Sequence, residues 1–513
     1  MEGFKLLSEL TIANFKAFGE RQVVPLAPIT LVFGSNSAGK SSLIQALLLM
    51  RQSLGSGGNR APERSSSLTI RGEFTDLGSF DALLHRHERD RELEIGWTSA
   101  TGRLRTDRDQ SVAAAVRYQR PGDDEEFELT RSTVTVLGRP VSFSAAGITS
   151  FDLLAASESR SGLNRFSDQQ LIASTDDTVS LLKAGYPREV ELRSKGRRQP
   201  TRGTPPALES LVQSLEAHQA SLLAWASAGL PARAVGLETN RGFISSPRFG
   251  GGSDRPDGDV DDELLLSSLN VIETLLRSTY SDAVGGIQKV EYLGPMRQAP
   301  ERIHVLSGER VNGAGTRGQH VVDLLARDPE LLASANEWFE RLEIPYLLEV
   351  LPVSDQSVAG AIGDVHCLLL KDRVSGVEVA PTDVGFGIGQ VLPVVVESLV
   401  GSGTLCIEQP EIHLHPALQA RLAELFADRV NKRRSGGPQQ FILETHSEHL
   451  ILRLQRLIRR RTISPDQVAV LHVGLGPSGS SHVRHLRLGS DGDFLDEWPG
   501  GFFDERFDEL FED

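Results

Sequence analysis

The stretch Ile29-Thr30-Leu31-Val32-Phe33-Gly34-Ser35-Asn36-Ser37-Ala38-Gly39-Lys40-Ser41-Ser42-Leu43-Ile44 decides the fold. Its first five residues are apolar or β-branched, which predicts a short buried strand. The run from Ser42 to Met50 is made of strong helix formers. Between them lies G-x-x-x-x-G-K-S, and strand, glycine-rich loop, helix is the context that pattern demands. Gly34 and Gly39 allow a backbone that turns several N–H groups inward. The helix N-terminus adds a positive partial charge beneath a phosphate. Lys40 is placed to reach β- and γ-phosphates, and the Ser41 hydroxyl to meet Mg²⁺.

Outward from that loop, the bulk numbers exclude several classes. The chain has 513 residues, 39% hydrophobic and 24% charged, enough to bury a large core across more than one domain. Its net charge of −15 argues against nucleic acid coating the whole surface, while leaving room for a local basic patch. Cys367 and Cys406 cannot build a disulfide framework or a zinc cluster, and a reducing cytoplasm is the expected location. The opening MEGFKLLSELTIANF lacks the features of a signal peptide, and no apolar run is long enough to span a membrane.

Four segments are expected: 1–97 carrying the phosphate loop, an insertion at 98–287, a second compact part at 288–490, and an acidic–aromatic tail at 491–513. Residues 67–97 are expected to hold further strands, with a turn at Asp76-Leu77-Gly78-Ser79. In the insertion, Leu208, Leu211, Val212, Leu215, Leu222 and Trp225 share one helical face, and so do Leu265, Leu269, Ile272 and Leu276. Later, Val290-Glu291-Tyr292-Leu293, Thr404-Leu405-Cys406-Ile407, Phe441-Ile442-Leu443 and Val468-Ala469-Val470-Leu471 read as buried strands separated by helices. The expected fold is therefore an α/β P-loop core, a mixed sheet with helices, assembled from both ends of the chain.

A phosphate loop needs an acid at the tip of another buried strand. Glu408 ends the apolar run Leu405-Cys406-Ile407 and is the expected Mg²⁺ partner of Ser41. His446 follows the strand Phe441-Ile442-Leu443 and could sense a γ-phosphate or position water. Asp383-Val384-Gly385-Phe386-Gly387-Ile388-Gly389-Gln390 is a glycine-rich turn before a helix, a second candidate anion site. Glu411, His413 and His415 have a spacing that permits a metal, but no second cluster completes a site, so a structural role is preferred. Pro416 suits the first turn of the following helix.

Taken in order, these motifs resemble the ABC-type ATPases of the SMC/RecF clade, and more narrowly the OLD-like bacterial ATPases. SELTIANFKAFG resembles that clade's first strand, 34–41 its Walker A loop, 383–390 its signature motif, EQPEIHLHP (408–416) its extended Walker B and D-loop, and Thr445-His446-Ser447 its switch-histidine loop. Gly294-Pro295-Met296-Arg297 and DEWPGGFFDE (496–505) resemble elements of one OLD-like subgroup. The resemblance implies ATP with Mg²⁺, bound by the residues from Gly34 to Ser42. It also implies a head-to-head homodimer in which Gly385, Gly387, Gly389 and Gln390 of one subunit meet the other's nucleotide. Such relatives often carry a Toprim-type nuclease domain, for which the stretch after His446 is expected to be too short. A separate effector protein such as a nuclease, in anti-phage defence or DNA maintenance, is the implied partner.

Two positions depart from the pattern: Gly389 stands before Gln390 where the signature turn usually carries a serine, and the other follows the Mg²⁺-binding acid. Gln409 stands where many relatives carry a glutamate, and an amide can orient water but cannot take its proton. Hydrolysis is then expected to be slow, or Glu411 to substitute as base; a scaffold that binds ATP with little hydrolysis, or a subunit of another ABC-type system, is the alternative. Two basic clusters, at Arg429, Lys432, Arg433 and Arg434 and at Arg453, Arg456, Arg459, Arg460 and Arg461, are candidate contacts for DNA.

Overall fold

The computed structural model describes residues 5–55, 68–101, 111–119, 128–136, 139–144, 170–172, 283–306, 308, 311–353, 364–432 and 437–499. Both helical patterns expected in the insertion, at 208–225 and 265–276, lie outside the described residues, as does the tail beyond 499. The chain divides into two compact units, one made of 1–52, 70–87 and 286–513, the other of 53–69 and 88–285.

In the first unit, strand β1 (Lys5–Ala13) turns back antiparallel onto β2 (Gln22–Pro25). Then β3 (Ile29–Gly34), buried at all six positions, leads through the glycine loop into α1 (Lys40–Gly55). The stretch after 70 holds fewer strands than expected. Asp76 caps its own turn by accepting from the Gly78 N–H at 2.9 Å, and the Ser79 hydroxyl accepts from the Ala82 N–H to start a four-residue helix, α2 (Phe80–Leu83). These side chains satisfy the backbone locally, which removes the need for a ladder partner. Only β4 (Leu93–Thr101) is a strand there.

β4 belongs to the second unit, where it continues as an antiparallel meander with β5 (Ser111–Gln119), β6 (Glu128–Val136), β7 (Arg139–Ser144) and β8 (Gln170–Ile172). Trp97 is buried in it and its indole N–H donates to the Ala283 carbonyl at 2.9 Å.

The chain re-enters the first unit with β9 (Val290–Leu293), β10 (His304–Val305), α3 (Val321–Arg327) and α4 (Pro329–Arg341). Asp328 caps α4 from its N-terminus, and the helix buries Leu331, Ala335, Trp338 and Phe339 along one stripe. A small antiparallel sheet follows: β11 (Tyr346–Pro352), β12 (Val365–Asp372) and β13 (Glu378–Val379), with β10 on the other edge of β12. Next come α5 (Phe386–Val400), β14 (Gly403–Glu408), α6 (Pro416–Asn431), β15 (Gln439–Glu444), α7 (Glu448–Arg459), β16 (Val468–Leu475) and β17 (Ser481–Leu486).

The main sheet has the order β17-β16-β3-β15-β14-β9. Its five strands from β16 to β9 run parallel, and β17 closes the edge antiparallel. The strand from the N-terminal part thus lies between two from the C-terminal part, and the α/β core is assembled from both ends of the chain. Parallel strands must be covered on both faces, and their sequences, ITLVFG, GTLCIE and QQFILE, are accordingly buried almost throughout. α5, α6 and α7 pack on them through Val391, Val395, Leu422, Phe426, Leu450 and Leu454. The segment after β17 returns to the same unit, where the Trp498 ring stacks on Phe33 at 4.9 Å.

Candidate functional site

In a parallel sheet, ligands bind at the carboxyl ends of the strands, where loops and helix N-termini converge. β3, β15, β14 and β9 all end at that edge, so their tips and the loops that follow define the site.

The loop after β3 is built around two glycines that no other residue can replace. Gly34 has φ of 141°, and a Cβ there would lie 2.1 Å from the Val473 carbonyl oxygen. Gly39 has φ of 96°, and its Cβ would fall 2.6 Å from that of Ala17. Ser35, Asn36 and Ser37 are exposed, while Ala38 is buried beneath them. α1 begins at Lys40, so the N–H of Ser41 in its first turn has no partner inside the helix, while the Ser42 N–H donates to the Gly39 carbonyl at 3.0 Å. The Lys40 ammonium donates to the carbonyls of Gly34 at 3.1 Å and Ser35 at 2.9 Å. Burial lowers its pKa, and the Glu444 carboxylate opposes that shift.

Two carboxylates face this loop. Glu408 at the tip of β14 and Glu444 at the tip of β15 are register partners. β15 lies between β14 and β3, so Glu444 is one strand nearer to the phosphate loop. Burial raises its pKa, and the nearby Ser41 hydroxyl and Lys40 ammonium oppose that shift. Glu408 instead accepts from the Tyr292 hydroxyl at 3.0 Å. Burial and the neighbouring Glu444 charge push the Glu408 carboxyl up to about 7. Sequence reasoning singled out Glu408 and passed over Glu444, although the signal was present: CIE and FILE are the same pattern, an apolar strand ending in glutamate.

Gln409 adopts φ of 47°, and its N–H donates to the Glu444 carbonyl at 2.7 Å. Glu411 is buried, one oxygen accepting from the His446 N–H at 2.7 Å, and burial raises its pKa. His446 titrates below the usual range because of burial and the Lys40 charge. The loop at Glu411 thereby ties the segment after β14 to the segment after β15. His415 caps α6, its Nδ1 accepting from the Ala417 N–H at 3.3 Å, with Pro416 in the first turn.

Arg297, which sequence reasoning named only within a motif, proves central. It is 4% exposed and its Nη2 donates to the carbonyls of Glu408 at 2.7 Å and Gln409 at 3.2 Å. Burial lowers its pKa to about 10, against the pull of Glu411, Tyr292 and Glu408.

The glycine-rich stretch 383–390 is not one turn. A 3₁₀ turn at Pro381–Asp383 precedes, Gly385 is the N-cap, and Phe386, Gly387, Ile388, Gly389 and Gln390 are already helix. Burial of the apolar run from Val391 to Leu399 draws the helix back to this point. Gly385 and Phe386 are exposed, and the Phe386 ring meets His413 edge-on at 5.1 Å. A Cβ on Gly387 would lie 2.8 Å from the His413 carbonyl oxygen. Gly389 lies past the open first turn, where an N–H normally bonds inside the helix. Gln390 is buried and its amide donates to the Arg297 carbonyl at 3.3 Å, so it braces the site from behind instead of facing a phosphate.

The basic clusters also thin out. Arg429 is 3% exposed and donates to the Ser398 carbonyl and to Gln439. It holds the interior together and is not offered to DNA. Lys432 pairs with Asp428, Arg453 with Glu424 and Arg459 with Asp493, while Arg433 and Arg434 lie outside the described residues. Arg456, Arg460 and Arg461 are exposed.

Two family models match parts of the chain. Residues 9–120 match a family model described as "AAA domain", and residues 286–453 match one described as "AAA domain, putative AbiEii toxin, Type IV TA system". Both matches support an AAA-type, nucleotide-binding ATPase. No curated protein matches the chain. Solved structures similar to it include an Smc head domain with an extended coiled coil bound to the C-terminal domain of ScpA, from Pyrococcus furiosus (13% identity, 94% of this chain and 96% of that one, TM-score 0.37). Others are the SMC head domain from Thermotoga maritima (9% identity, 94% and 100%, TM-score 0.37) and an Smc head domain with a coiled coil and joint from Pyrococcus yayanosii (12% identity, 95% and 98%, TM-score 0.38). TM-scores this low decide nothing by themselves. Among the described residues, no helix is long and apolar enough to cross a membrane.

Proposed function

We propose that the protein binds ATP with Mg²⁺ and hydrolyses it slowly, as an ABC-type ATPase whose two copies close on the nucleotide. The observation that carries this reading is the juxtaposition at the sheet edge of the loop from Gly34 to Ser42 with Glu444 and Glu408. These residues fit a cation–nucleotide pair. The loop backbone can follow a phosphate only because Gly34 and Gly39 lack a Cβ, and one buried Glu444 oxygen has no hydrogen-bond partner among the described residues. When bound, Mg²⁺ would neutralise charge between the β- and γ-phosphates.

The chain's own residues do the rest. Lys40 exchanges its two loop carbonyls for phosphate oxygens, and Ser41 offers its hydroxyl to the cation. Gln409 orients the attacking water, and its amide cannot accept the proton. Glu411, with a carboxyl pKa raised by burial, is the candidate base. His446, next to Lys40, holds the γ-phosphate side. The exposed N-terminus of α5 at Gly385 and Phe386 offers its free N–H groups to the nucleotide of a second copy. ATP then acts as a switch, because it makes contacts in the closed pair that the open pair lacks. Arg456, Arg460 and Arg461 provide a salt-sensitive contact with duplex DNA. The description of the match at 286–453 and the resemblance to OLD-like ATPases support a bacterial defence setting with a separate effector.

Phosphate release by the wild type, Lys40→Ala and Glu408→Gln tests the enzyme, with light scattering for an ATP-dependent doubling of mass. Lys40→Ala is expected to lose turnover by at least about 100-fold. Equal release by wild type and Lys40→Ala overturns the reading.

A further inference from the structure

We infer that Glu444 is a ligand of the divalent cation, taking a place in the metal site that Glu408 alone does not fill; this rests on the nucleotide-binding reading above. Neighbouring strands lie about 4.8 Å apart, so a side chain at the tip of β15 stands one strand spacing closer to the phosphate loop than its register partner on β14. Local contacts agree. The Ser41 hydroxyl and the Lys40 ammonium both lie near enough to Glu444 to favour its charged form. By contrast, the Glu408 carboxylate is engaged by Tyr292 on the far side, at 3.0 Å.

Burial strengthens the case. Glu444 is 5% exposed, and Oε2 has no hydrogen-bond partner among the described residues. A buried carboxylate oxygen without a donor costs on the order of 1–3 kcal/mol, so its retention at a phosphate loop asks for a counter-charge. Lys40 provides one only until it turns to phosphate. A hard divalent cation, held otherwise by phosphate oxygens, water and the Ser41 oxygen, supplies the other. The Ser41 proton stays on its hydroxyl, whose oxygen turns a lone pair to the cation. No bond is broken in this step. The position of Gln409 is consistent with it. The amide removes one negative charge from the turn after β14, and the carboxylate at 444 restores one from the adjacent strand.

Manganese is the probe, with ADP, because its binding is read by electron paramagnetic resonance without turnover. Wild type, Glu444→Gln and a surface control, Glu378→Gln, are titrated with Mn²⁺ in the presence of ADP, and with ADP alone. Glu444→Gln is expected to weaken Mn²⁺ binding by about tenfold or more, with metal-free ADP affinity within about twofold of wild type and Glu378→Gln unchanged. Mn²⁺ affinity of Glu444→Gln within about twofold of wild type overturns the inference while leaving nucleotide binding intact. A wild type that binds neither ADP nor Mn²⁺ overturns the nucleotide reading itself, and with it this one. Should Glu444→Gln not fold, Glu444→Asp keeps the charge one methylene short. A loss of about threefold or more then supports the assignment, and an unchanged affinity overturns it.

Discussion

Arg297 shows how one buried cation can organise the turn after β14 without touching the glycine loop after β3. Its Nη2 holds the carbonyls of Glu408 and Gln409, and Gln409 has the positive φ that the turn requires. Removing the guanidinium leaves two buried carbonyls without their donor and takes away the positive charge that attracts the Glu411 carboxylate. Arg297→Met should therefore destabilise the fold by about 3 kcal/mol, measured by urea unfolding. Arg297→Lys keeps the charge but lacks the planar fork. It is expected to lower kcat by about tenfold with KM and ADP affinity near wild type, because the turn carrying Gln409 loosens while the phosphate loop is untouched. An unchanged kcat would remove Arg297 from the positioning machinery.

At the scale of elements, β3 is the member whose support decides whether the loop is presented correctly. Phe33, the residue before Gly34, has Trp498 stacked on it at 4.9 Å and His472 tilted against it at 5.3 Å. Phe494 packs on Trp498 in turn, and two ion pairs, Arg459–Asp493 and Arg487–Asp496, hold the segment down. The tail thus reaches back from beyond β17 to clamp the strand under the phosphate loop. Truncating this ring should cost about 2–3 kcal/mol, somewhat below a fully buried tryptophan. Trp498→Ala is expected to lower the melting temperature and weaken ADP binding together, since both depend on the same strand. A fall in stability with ADP affinity intact would show that the clamp does not reach the loop.

At the scale of the whole molecule, Glu397 sets a pH dependence that the site does not need. It lies in α5, 4% exposed, accepting from the Ala314 N–H, and burial pushes its carboxyl up to about 7 from 4.5, with Glu291 adding repulsion. The folded state therefore binds this proton more tightly than the unfolded chain. Stability from this group is full below about pH 4.5 and is lost as pH rises toward 7 and above. Glu397→Gln keeps the acceptor for Ala314 and removes the charge. It should stabilise the protein at pH 8 by up to about 3 kcal/mol and change little at pH 4.5, as followed by chemical denaturation. Equal stability gains at both pH values would contradict a raised carboxyl.

The sequence by itself determined the strand, glycine loop and helix of residues 29–55 and the identity of the core strands. Glycine at 34 and 39, lysine at 40 and a hydroxyl at 41 are local requirements of a loop between a strand and a helix, and local requirements are written in consecutive residues. ITLVFG, LCIE and FILE were legible for the same reason: strands buried on both faces are continuously apolar. Tertiary structure alone decided which acid reaches the loop. Strand order is a long-range property, and only the insertion of β15 between β14 and β3 makes Glu444 the nearer carboxylate. It also decided that Arg429 is interior, that Gln390 braces Arg297 and that the glycines after 385 are helical, since burial by distant segments outweighs local composition. The tail was ambiguous in sequence because an aromatic–acidic segment can cover its own domain or another protein. Stacking on Phe33 resolves that choice up to residue 499.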